Sequence, residues 1–315
     1  MVWIPYADEE QHRFNELAAL YLICRKRLQE INIETKMVAS LGSVAYRDEQ
    51  TLLSHDPPVP DAARHLITFA AQSYLHAASE HMGSLGALYA NQEVLLSPVV
   101  LARCVIEHAA HAVWILGGKS KTAADRLARA YLEEVHGAEH AKQQASDLLG
   151  KQSREYELRV GHYREVKKEA KTLFTEPHHD KDGRPLYRGE QLPSPEAAVL
   201  HLNRVATRPL TNDQMKGTYG LLSSHVHPTT HIIRELFVVD EIDGHKTPRL
   251  TIDISFHDRL ARMAVICFYN ALTHIVSYHG WAPSAYVALN DDIDALLPGV
   301  FIGGPSPGPF DDAPA

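Results

Sequence analysis

One segment of this sequence restricts the fold more than any other: the run Pro98–Leu116 is apolar or small at nearly every position. Ser97 followed by Pro98 is a typical helix start, and Gly117 with Gly118 is a typical helix stop, so the run predicts one α-helix. A helix that is apolar on all sides is surrounded by protein. We therefore expect the chain to fold as a helical bundle around this segment.

The same helix carries four polar side chains, and its burial makes them costly. Arg103, Glu107 and His111 are spaced by four residues, which places them along one side of the helix, and His108 follows Glu107 directly. Breaking a buried ion pair costs roughly 3–5 kcal/mol, because one charge is left without compensation. These side chains therefore need partners, first of all one another.

The N-terminal part of the chain also has helical periodicity. Asp8, Glu9 and Glu10 suit the start of a helix, where negative charge is favourable. The heptad spacing that follows predicts a narrow apolar seam of Phe14, Leu17, Tyr21, Cys24, Leu28 and Ile31. Because the seam is short, we expect it to pack within the chain, and a homodimer through this first helix is the alternative.

The remaining periodic segments predict further helices and one hairpin. A second helix over 61–90 has Leu66, Phe69, Met82 and Leu85 on its apolar side. Further helices are predicted over 122–149, 151–174, 196 onward, 212–224 and 255–280. Residues 175–195 are expected to form a mobile or lid-like loop. Two strands are predicted over 236–242 and 249–254, on either side of Asp243-Gly244. The predicted fold class is an all-α multi-helix bundle with a small β-hairpin near 236–254.

The C-terminal residues have a different composition. After residue 297 the sequence PGVFIGGPSPGPFDDAPA contains too much proline and glycine to fold alone. We therefore predict a single helical domain over 1–297 and a tail over 298–315. The tail either docks through Phe301 or Phe310 or is mobile.

Composition restricts the classes of function. The net charge is −8 and the 31 Lys and Arg residues are scattered, so no basic stripe favours DNA binding. Cys24, Cys104 and Cys267 lie in apolar stretches and match no disulfide or zinc pattern, which favours a reducing compartment. We see neither an export signal nor an uninterrupted membrane-spanning run, so we expect a cytoplasmic protein with no membrane partner.

Histidine is the residue type that stands out. The chain has 20 histidines, roughly two to three times the usual share for its length. Histidine is the commonest metal ligand and the usual acid-base residue near neutral pH. The excess raises the expectation of both kinds of chemistry.

Two of the predicted helices carry carboxylate-histidine pairs. Glu107 and His111 are spaced i,i+4, and Glu133 and His136 are spaced i,i+3 on the following helix, which a short loop makes an antiparallel neighbour. These four residues are candidate ligands for a divalent transition metal such as Fe, Mn or Zn. The full glutamate pattern of a ferritin-type di-iron site is absent, and a structural ion-pair network is the alternative.

A second cluster lies far along the chain. Tyr219, Ser223 and His227 step by four residues, so they share a helix face that would complete a polar pocket with Arg103 and Glu107. A metal site formed by His225, His227 and His231 is one alternative, and a structural histidine at a helix end is another. Pro228 breaks the helix between these histidines.

Two resemblances add to these patterns. Residues 66–228 resemble a broad group of bacterial, largely actinobacterial, all-helical proteins. The resemblance lies in three features: Arg103 and Glu107 before Trp114, Arg126 and Arg129 on the next helix, and the row of Tyr219, Ser223 and His227. That resemblance implies a helical fold and a shared polar centre but no reaction. Separately, Arg103 and His108 match the loose Arg-x4-His pattern of the HEPN ribonucleases, in which such a pair cuts RNA at a helical dimer interface.

Three functional hypotheses follow from the sequence. The first is a metal-dependent enzyme that oxidises or hydrolyses a small molecule, with Glu107, His111, Glu133 and His136 as ligands. The other candidate catalytic residues are Arg103, His108, Tyr219, Ser223 and His227. The second hypothesis is a HEPN-type, toxin-like defence ribonuclease, and the third is a non-catalytic helical binding or scaffold protein.

Overall fold

A computed structural model of the chain describes residues 6–175, 179–205, 211–227, 230, 234, 237–242, 245–250, 252–282, 284–300 and 309–310. The protein is mostly helical, as predicted, and this part of the chain contains eleven helices. They are α1 (Asp8–Thr35), α2 (Val44–Leu53), α3 (Asp61–Arg64), α4 (Leu66–Ala90), α5 (Ser97–Leu116), α6 (Ala123–Leu149), α7 (Arg154–Leu173), α8 (Pro195–Val205), α9 (Asn212–Val226), α10 (Ile254–His279) and α11 (Ser284–Leu296).

Two small antiparallel hairpins accompany the helices in the described part of the chain. The first pairs β1 (Leu186–Tyr187) with β2 (Glu190–Gln191), and the second pairs β3 (Phe237–Ile242) with β4 (His245–Leu250). The second hairpin confirms the prediction, but its second strand begins at residue 245 rather than 249. Ile242 pairs directly with His245, so the strands stay in register up to a two-residue connection.

The central helix of the bundle is α5, as its sequence predicts. It packs against α4, α6, α8, α9 and α10, and residues such as Ala109, Ala110 and Val113 have no exposed surface. Pro98 occupies the first turn and Gly117 ends the helix. The four polar residues of α5 are therefore held between neighbouring helices.

The predicted seam of α1 is buried inside the chain. Its six apolar residues are at most 2% exposed, and α1 packs against α4 and α11. The helix starts one residue earlier than predicted: Ala7 is the N-cap, and its N–H donates to the Glu10 carboxylate at 2.9 Å. A dimer through α1 would therefore need a face of this helix other than the seam.

Several other expectations need correction. Helix α2 was not predicted, because it is short and lies in a polar stretch. Phe69 is 66% exposed, because the buried stripe of α4 runs instead through Ile67, Ala71 and Leu75. Asp253, rather than Ser255, caps α10 by accepting the Ser255 N–H at 2.9 Å.

The segment predicted as a mobile or lid-like loop is anchored where it is described. Tyr187 is 1% exposed and its ring stacks on Phe174 at 5.3 Å. Glu190 accepts hydrogen bonds from Arg129 and Lys121. This hairpin therefore packs against α6 and is not a free loop.

One tail residue docks on the bundle. The N–H of Phe310 donates to Ser277 Oγ at 2.9 Å, and its ring lies under the Arg126 guanidinium at 5.3 Å. Phe301, the alternative contact, lies outside the described residues. The division into a domain over 1–297 and a tail over 298–315 stays a prediction.

Helices α5 and α10 are long and apolar enough to cross a membrane by length and composition alone, but most of each is buried inside the protein. Core helices pass the same test, so this is weak evidence for a membrane span. The three cysteines carry no disulfide, and Cys24 and Cys267 are buried, in line with their prediction as core residues.

Candidate functional site

The structure brings four of the candidate residues together between α5 and α9. Arg103 Nε donates to Glu107 Oε1 at 2.7 Å, and Arg103 also donates to the Tyr219 hydroxyl at 3.1 Å and to Ser223 Oγ at 3.4 Å. The Tyr219 hydroxyl in turn donates to Glu107 Oε1 at 2.7 Å. These four side chains, here called the α5–α9 cluster, form one continuous hydrogen-bonded network.

Within this cluster, Tyr219 donates a second hydrogen bond to Glu107, beside the one from Arg103. Partial burial, with the Glu107 carboxylate as the next cause, raises the pKa of Tyr219 to about 12. The phenol therefore stays protonated at neutral pH and holds the carboxylate oxygen that Arg103 also contacts. The cluster is half-buried, so its side chains are in part accessible to a neighbouring molecule.

His227 does not join this cluster. It is the exposed C-cap of α9, where its N–H donates to the Ser223 carbonyl at 3.2 Å. His225 bonds the Leu221 carbonyl at 2.9 Å, and His231 lies outside the described residues. His227 thus lies at a helix end, as one interpretation expects, but its bond to a carbonyl is made by the backbone N–H, and the ring that bonds a carbonyl here is that of His225.

A second polar centre, between α4, α5 and α6, contains His111. Its Nδ1–H donates to Glu133 Oε1 at 2.5 Å, and the Tyr74 hydroxyl donates to Glu133 Oε2 at 2.7 Å. Burial, followed by the Glu133 charge, raises the pKa of Tyr74. Glu133 is 8% exposed and has one donor for each carboxylate oxygen.

His108 faces away from Arg103. Its Nδ1–H donates to the Cys104 carbonyl at 2.6 Å, and its ring lies 5.2 Å from that of His81 on α4. Arg103 points to α9, so one chain does not bring the two residues of the ribonuclease pattern together. The ribonuclease hypothesis stays a prediction that depends on a second copy of the chain.

The four predicted metal ligands do not form one centre. Glu107 belongs to the α5–α9 cluster because Arg103 and Tyr219 bind its carboxylate, whereas His111 contacts Glu133. His136 is exposed, and its ring lies 4.4 Å from that of His140. Within the described ranges, no group of three or more His, Cys, Asp or Glu side chains is placed to hold a metal ion. Metal binding stays a prediction, and the arrangement does not fit the four-ligand site.

The shared role of Glu133 gives a first testable prediction. Glu133→Ala leaves the half-buried Tyr74 hydroxyl and His111 Nδ1–H without their acceptor, and each such group costs roughly 1–3 kcal/mol. We expect a loss of about 3 kcal/mol in the free energy of unfolding, measured by urea denaturation. Glu134→Ala is the matched control, because Glu134 is the next residue of α6 and pairs only at the surface with His162.

Equal destabilisation by the two variants would contradict the buried role of Glu133. The same proteins test the metal prediction by elemental analysis after reconstitution with Fe, Mn or Zn. A centre at these residues would give about one metal per chain in the wild type and in Glu134→Ala, and none in Glu133→Ala. A wild type that takes up no metal would contradict it.

An apolar cavity of about 320 Å³ adjoins the α5–α9 cluster. It lies between α5, α8, α9 and α10, and Ile106 of α5 contributes to its wall. The walls from α9 and α8 are formed by residues at i, i+3, i+4 spacing, which are Met215, Thr218, Tyr219 and Leu222 on α9, and Val199, Leu202 and Asn203 on α8. Tyr219 therefore belongs both to the cavity wall and to the polar cluster.

The fourth wall is one face of α10. Arg259, Arg262, Met263, Ile266 and Asn270 line it at the same helical spacing, with Cys267 beside them. Burial raises the pKa of Cys267 to about 12, so its thiol stays protonated. This cavity was not predicted from the sequence, because the repeated spacing of apolar residues on α8, α9 and α10 does not distinguish faces that close from faces that leave a void.

A family model for a family of unknown function, DUF5677, matches residues 73–245, which is more than half of the chain. The chain belongs to the DUF5677 family. No curated protein and no solved structure matches it. The DUF5677 match agrees with the expected kinship to all-helical proteins without an assigned activity.

The DUF5677 segment contains the α5–α9 cluster and the Glu133 centre, and it also contains the α8 and α9 walls of the cavity. The α10 wall, with Arg259 and Arg262, lies beyond the matched residues. The family description states no reaction, so the function must be argued from the geometry.

Proposed function

We propose that this protein binds a small, largely apolar organic molecule in the cavity between α5, α8, α9 and α10. One observation supports this most: three helices each turn an i, i+3, i+4 face toward the same space, and among the described residues the side chains on these faces do not fill it. Protein interiors are normally close-packed, with few voids larger than a water molecule. A cavity of about 320 Å³ lies instead at the lower end of the range of ligand pockets.

The size of the cavity indicates the size of the molecule. A water molecule occupies about 30 Å³ in the liquid, so the cavity has room for roughly ten non-hydrogen atoms. Most of the wall is aliphatic, which favours an apolar body. Tyr219 offers a polar contact at the α9 wall, where its hydroxyl lies between Glu107 and Arg103 and is hydrogen-bonded to both.

The α5–α9 cluster defines what the site can do to a bound molecule. The Tyr219 hydroxyl donates its one proton to Glu107 and accepts a hydrogen bond from Arg103, so a hydroxyl group of a ligand at this wall would donate to the remaining lone pair of the phenolic oxygen. Binding is therefore the primary function in this proposal. A hydrogen bond to the Tyr219 hydroxyl is the polar contact that this cluster offers the ligand.

Blocking the cavity tests the proposal. We expect the unfolding midpoint of the wild type to rise by about 5 °C in 1-octanol at 100 times its dissociation constant, because binding to the folded state adds about 2.7 kcal/mol. Thr218→Trp places an indole in the cavity and is expected to abolish the shift. Lys216→Trp on the exposed face of the same helix is expected to keep it.

The result is read by thermal scanning and by direct titration calorimetry. A shift that survives Thr218→Trp would place 1-octanol elsewhere on the protein and contradict the proposal. The absence of any shift with apolar molecules of this size would contradict it as well.

A further inference from the structure

The cavity has an uneven charge distribution. Among the residues that the structure describes, its wall includes two arginines, Arg259 and Arg262, and no aspartate or glutamate. Two wall residues that could become anionic, Tyr219 and Cys267, have pKa values that burial raises to about 12. At neutral pH the two guanidinium groups are therefore the ionised groups of this wall, in a chain whose net charge is −8.

Arg262 is the less neutralised of the two cations. Among the residues that the structure describes, its one hydrogen bond is a long contact of 3.4 Å from Nη1 to the Pro298 carbonyl, and no carboxylate lies within ion-pair distance. Arg259 instead donates to Ser255 Oγ at 3.0 Å and to Asp253 Oδ2 at 3.5 Å. The guanidinium of Arg262 therefore keeps donors available for an acceptor outside the protein.

The position of Arg262 connects this charge to the apolar space. It precedes Met263 and lies one turn before Ile266 on the face of α10 that lines the cavity. A molecule whose apolar body fills the cavity would therefore have one part close to this guanidinium. A guanidinium binds a carboxylate through two parallel hydrogen bonds, and the pair gains strength where water is partly excluded.

We infer that the ligand is a small monocarboxylate with an apolar body, and that Arg262 binds its carboxylate group. This inference rests on the proposed function and adds the chemical class of the ligand. The Tyr219 wall contacts the apolar body or a second polar group of the ligand, while the anionic group is held at the α10 wall. Octanoate, with about ten non-hydrogen atoms, is the probe of suitable size.

Paired ligands and paired variants test the inference. Calorimetric titrations compare octanoate with 1-octanol, which has the same chain without the charge. We expect octanoate to bind about tenfold more tightly than 1-octanol to the wild type, and Arg262→Gln to weaken octanoate about tenfold while 1-octanol changes less than about twofold. Arg159→Gln is the control, because Arg159 is an arginine on α7 paired with Glu155 and does not line the cavity.

The outcomes separate the two proposals. Equal binding of octanoate and 1-octanol to the wild type, or an unchanged octanoate affinity in Arg262→Gln, would overturn the assignment of Arg262 and leave the cavity proposal standing. An equal loss in Arg262→Gln and Arg159→Gln would overturn it too, because it would reflect net charge alone. If neither molecule binds the wild type, the cavity proposal itself fails. Circular dichroism and the unfolding midpoint verify that both variants are folded.

Discussion

Lowering the pH from 7 to 5 is expected to remove roughly 5 kcal/mol of the protein's stability, which is a large part of the 5–15 kcal/mol typical of a folded protein. The cause is a set of three neutral, buried histidines on α10. His257, His274 and His279 are at most 3% exposed, and burial lowers the pKa of each to about 4.

The hydrogen bonds of these histidines fit the neutral form. His279 Nδ1–H donates to the Ile275 carbonyl at 2.8 Å, while its Nε2 accepts from the Gln72 amide at 3.2 Å. His257 Nδ1 accepts from the Tyr89 hydroxyl at 2.7 Å. His274 Nε2 is surrounded by protein and has no hydrogen-bond partner among the described residues, so a proton there would be a buried charge.

The sign of the effect follows from proton binding. An unfolded histidine has a pKa near 6.5, so between pH 6.5 and pH 4 the unfolded chain binds more protons than the folded one. The contribution of these histidines to the free energy of unfolding is therefore fully present above about pH 6.5, and it is lost as the pH falls through this window. At pH 5 each histidine accounts for about 2 kcal/mol of the loss.

Urea denaturation at pH 7, 6 and 5 measures this dependence. His274→Leu removes one titrating group and is expected to reduce the loss between pH 7 and pH 5 by about 2 kcal/mol. His12→Gln is the control, because the His12 side chain is 79% exposed. An unaltered pH dependence in His274→Leu would show that other groups cause the acid sensitivity.

Replacing Arg126 by methionine is expected to cost about 3–5 kcal/mol at pH 7, because it leaves a buried carboxylate without its counter-charge. Arg126 is 2% exposed and donates to both oxygens of Asp48, at 2.8 and 3.1 Å. It also donates to the carbonyls of Leu116 and Gly118, at the end of α5. The Tyr278 hydroxyl donates to Asp48 as well, at 2.9 Å.

Asp48 gives this prediction a second signature. Burial raises the pKa of Asp48 even though Arg126 opposes the change, and the loss of Arg126 would raise it further. A raised carboxyl pKa makes the folded state bind more protons, so the cost of Arg126→Met relative to the wild type should be smaller at pH 5 than at pH 7. This sign is opposite to that of the histidines.

Urea denaturation of Arg126→Met and Arg159→Met compares a buried with an exposed ion pair. Arg159→Met is expected to change stability by less than about 1 kcal/mol, because exposed pairs contribute little. Adding Asp48→Asn to Arg126→Met removes the orphaned charge and is expected to recover part of the loss. A cost below about 1 kcal/mol for Arg126→Met would contradict the role of this pair.

Local sequence patterns predicted much of the fold. The Thr122 and Asp125 capping pair, the proline at the start of α5 and the glycine after it set the helix ends because caps depend on neighbouring residues alone. The apolar stripe of α4 was predicted correctly in its second half, where Met82 and Leu85 are buried. In its first half it was predicted on the wrong face, because the small residue Ala71 packs inside and Phe69 lies outside. Hydrophobicity alone does not identify a face on which small residues allow close packing.

The polar centres were predictable in part. The four-residue spacing of Arg103 with Glu107 and of Tyr219 with Ser223 correctly placed each pair on one helix face, and these faces meet. The choice of partner for Glu107 was not predictable, because it depends on which neighbouring helix offers a donor. The cavity was also beyond sequence reasoning, since apolar faces that close and apolar faces that leave a void have the same periodicity.

Helix α10 contributes both to the expected acid sensitivity of the protein and to the proposed binding of a carboxylate ligand. It carries the three neutral histidines and also Arg262 with the apolar wall beside it. Protons destabilise the folded form of this helix, whereas a ligand seated on it would stabilise that form. A lower pH and a bound ligand would then shift the same folding equilibrium in opposite directions. In an acidifying medium, the ligand-free molecules would unfold first, and the folded population would report how much ligand is present.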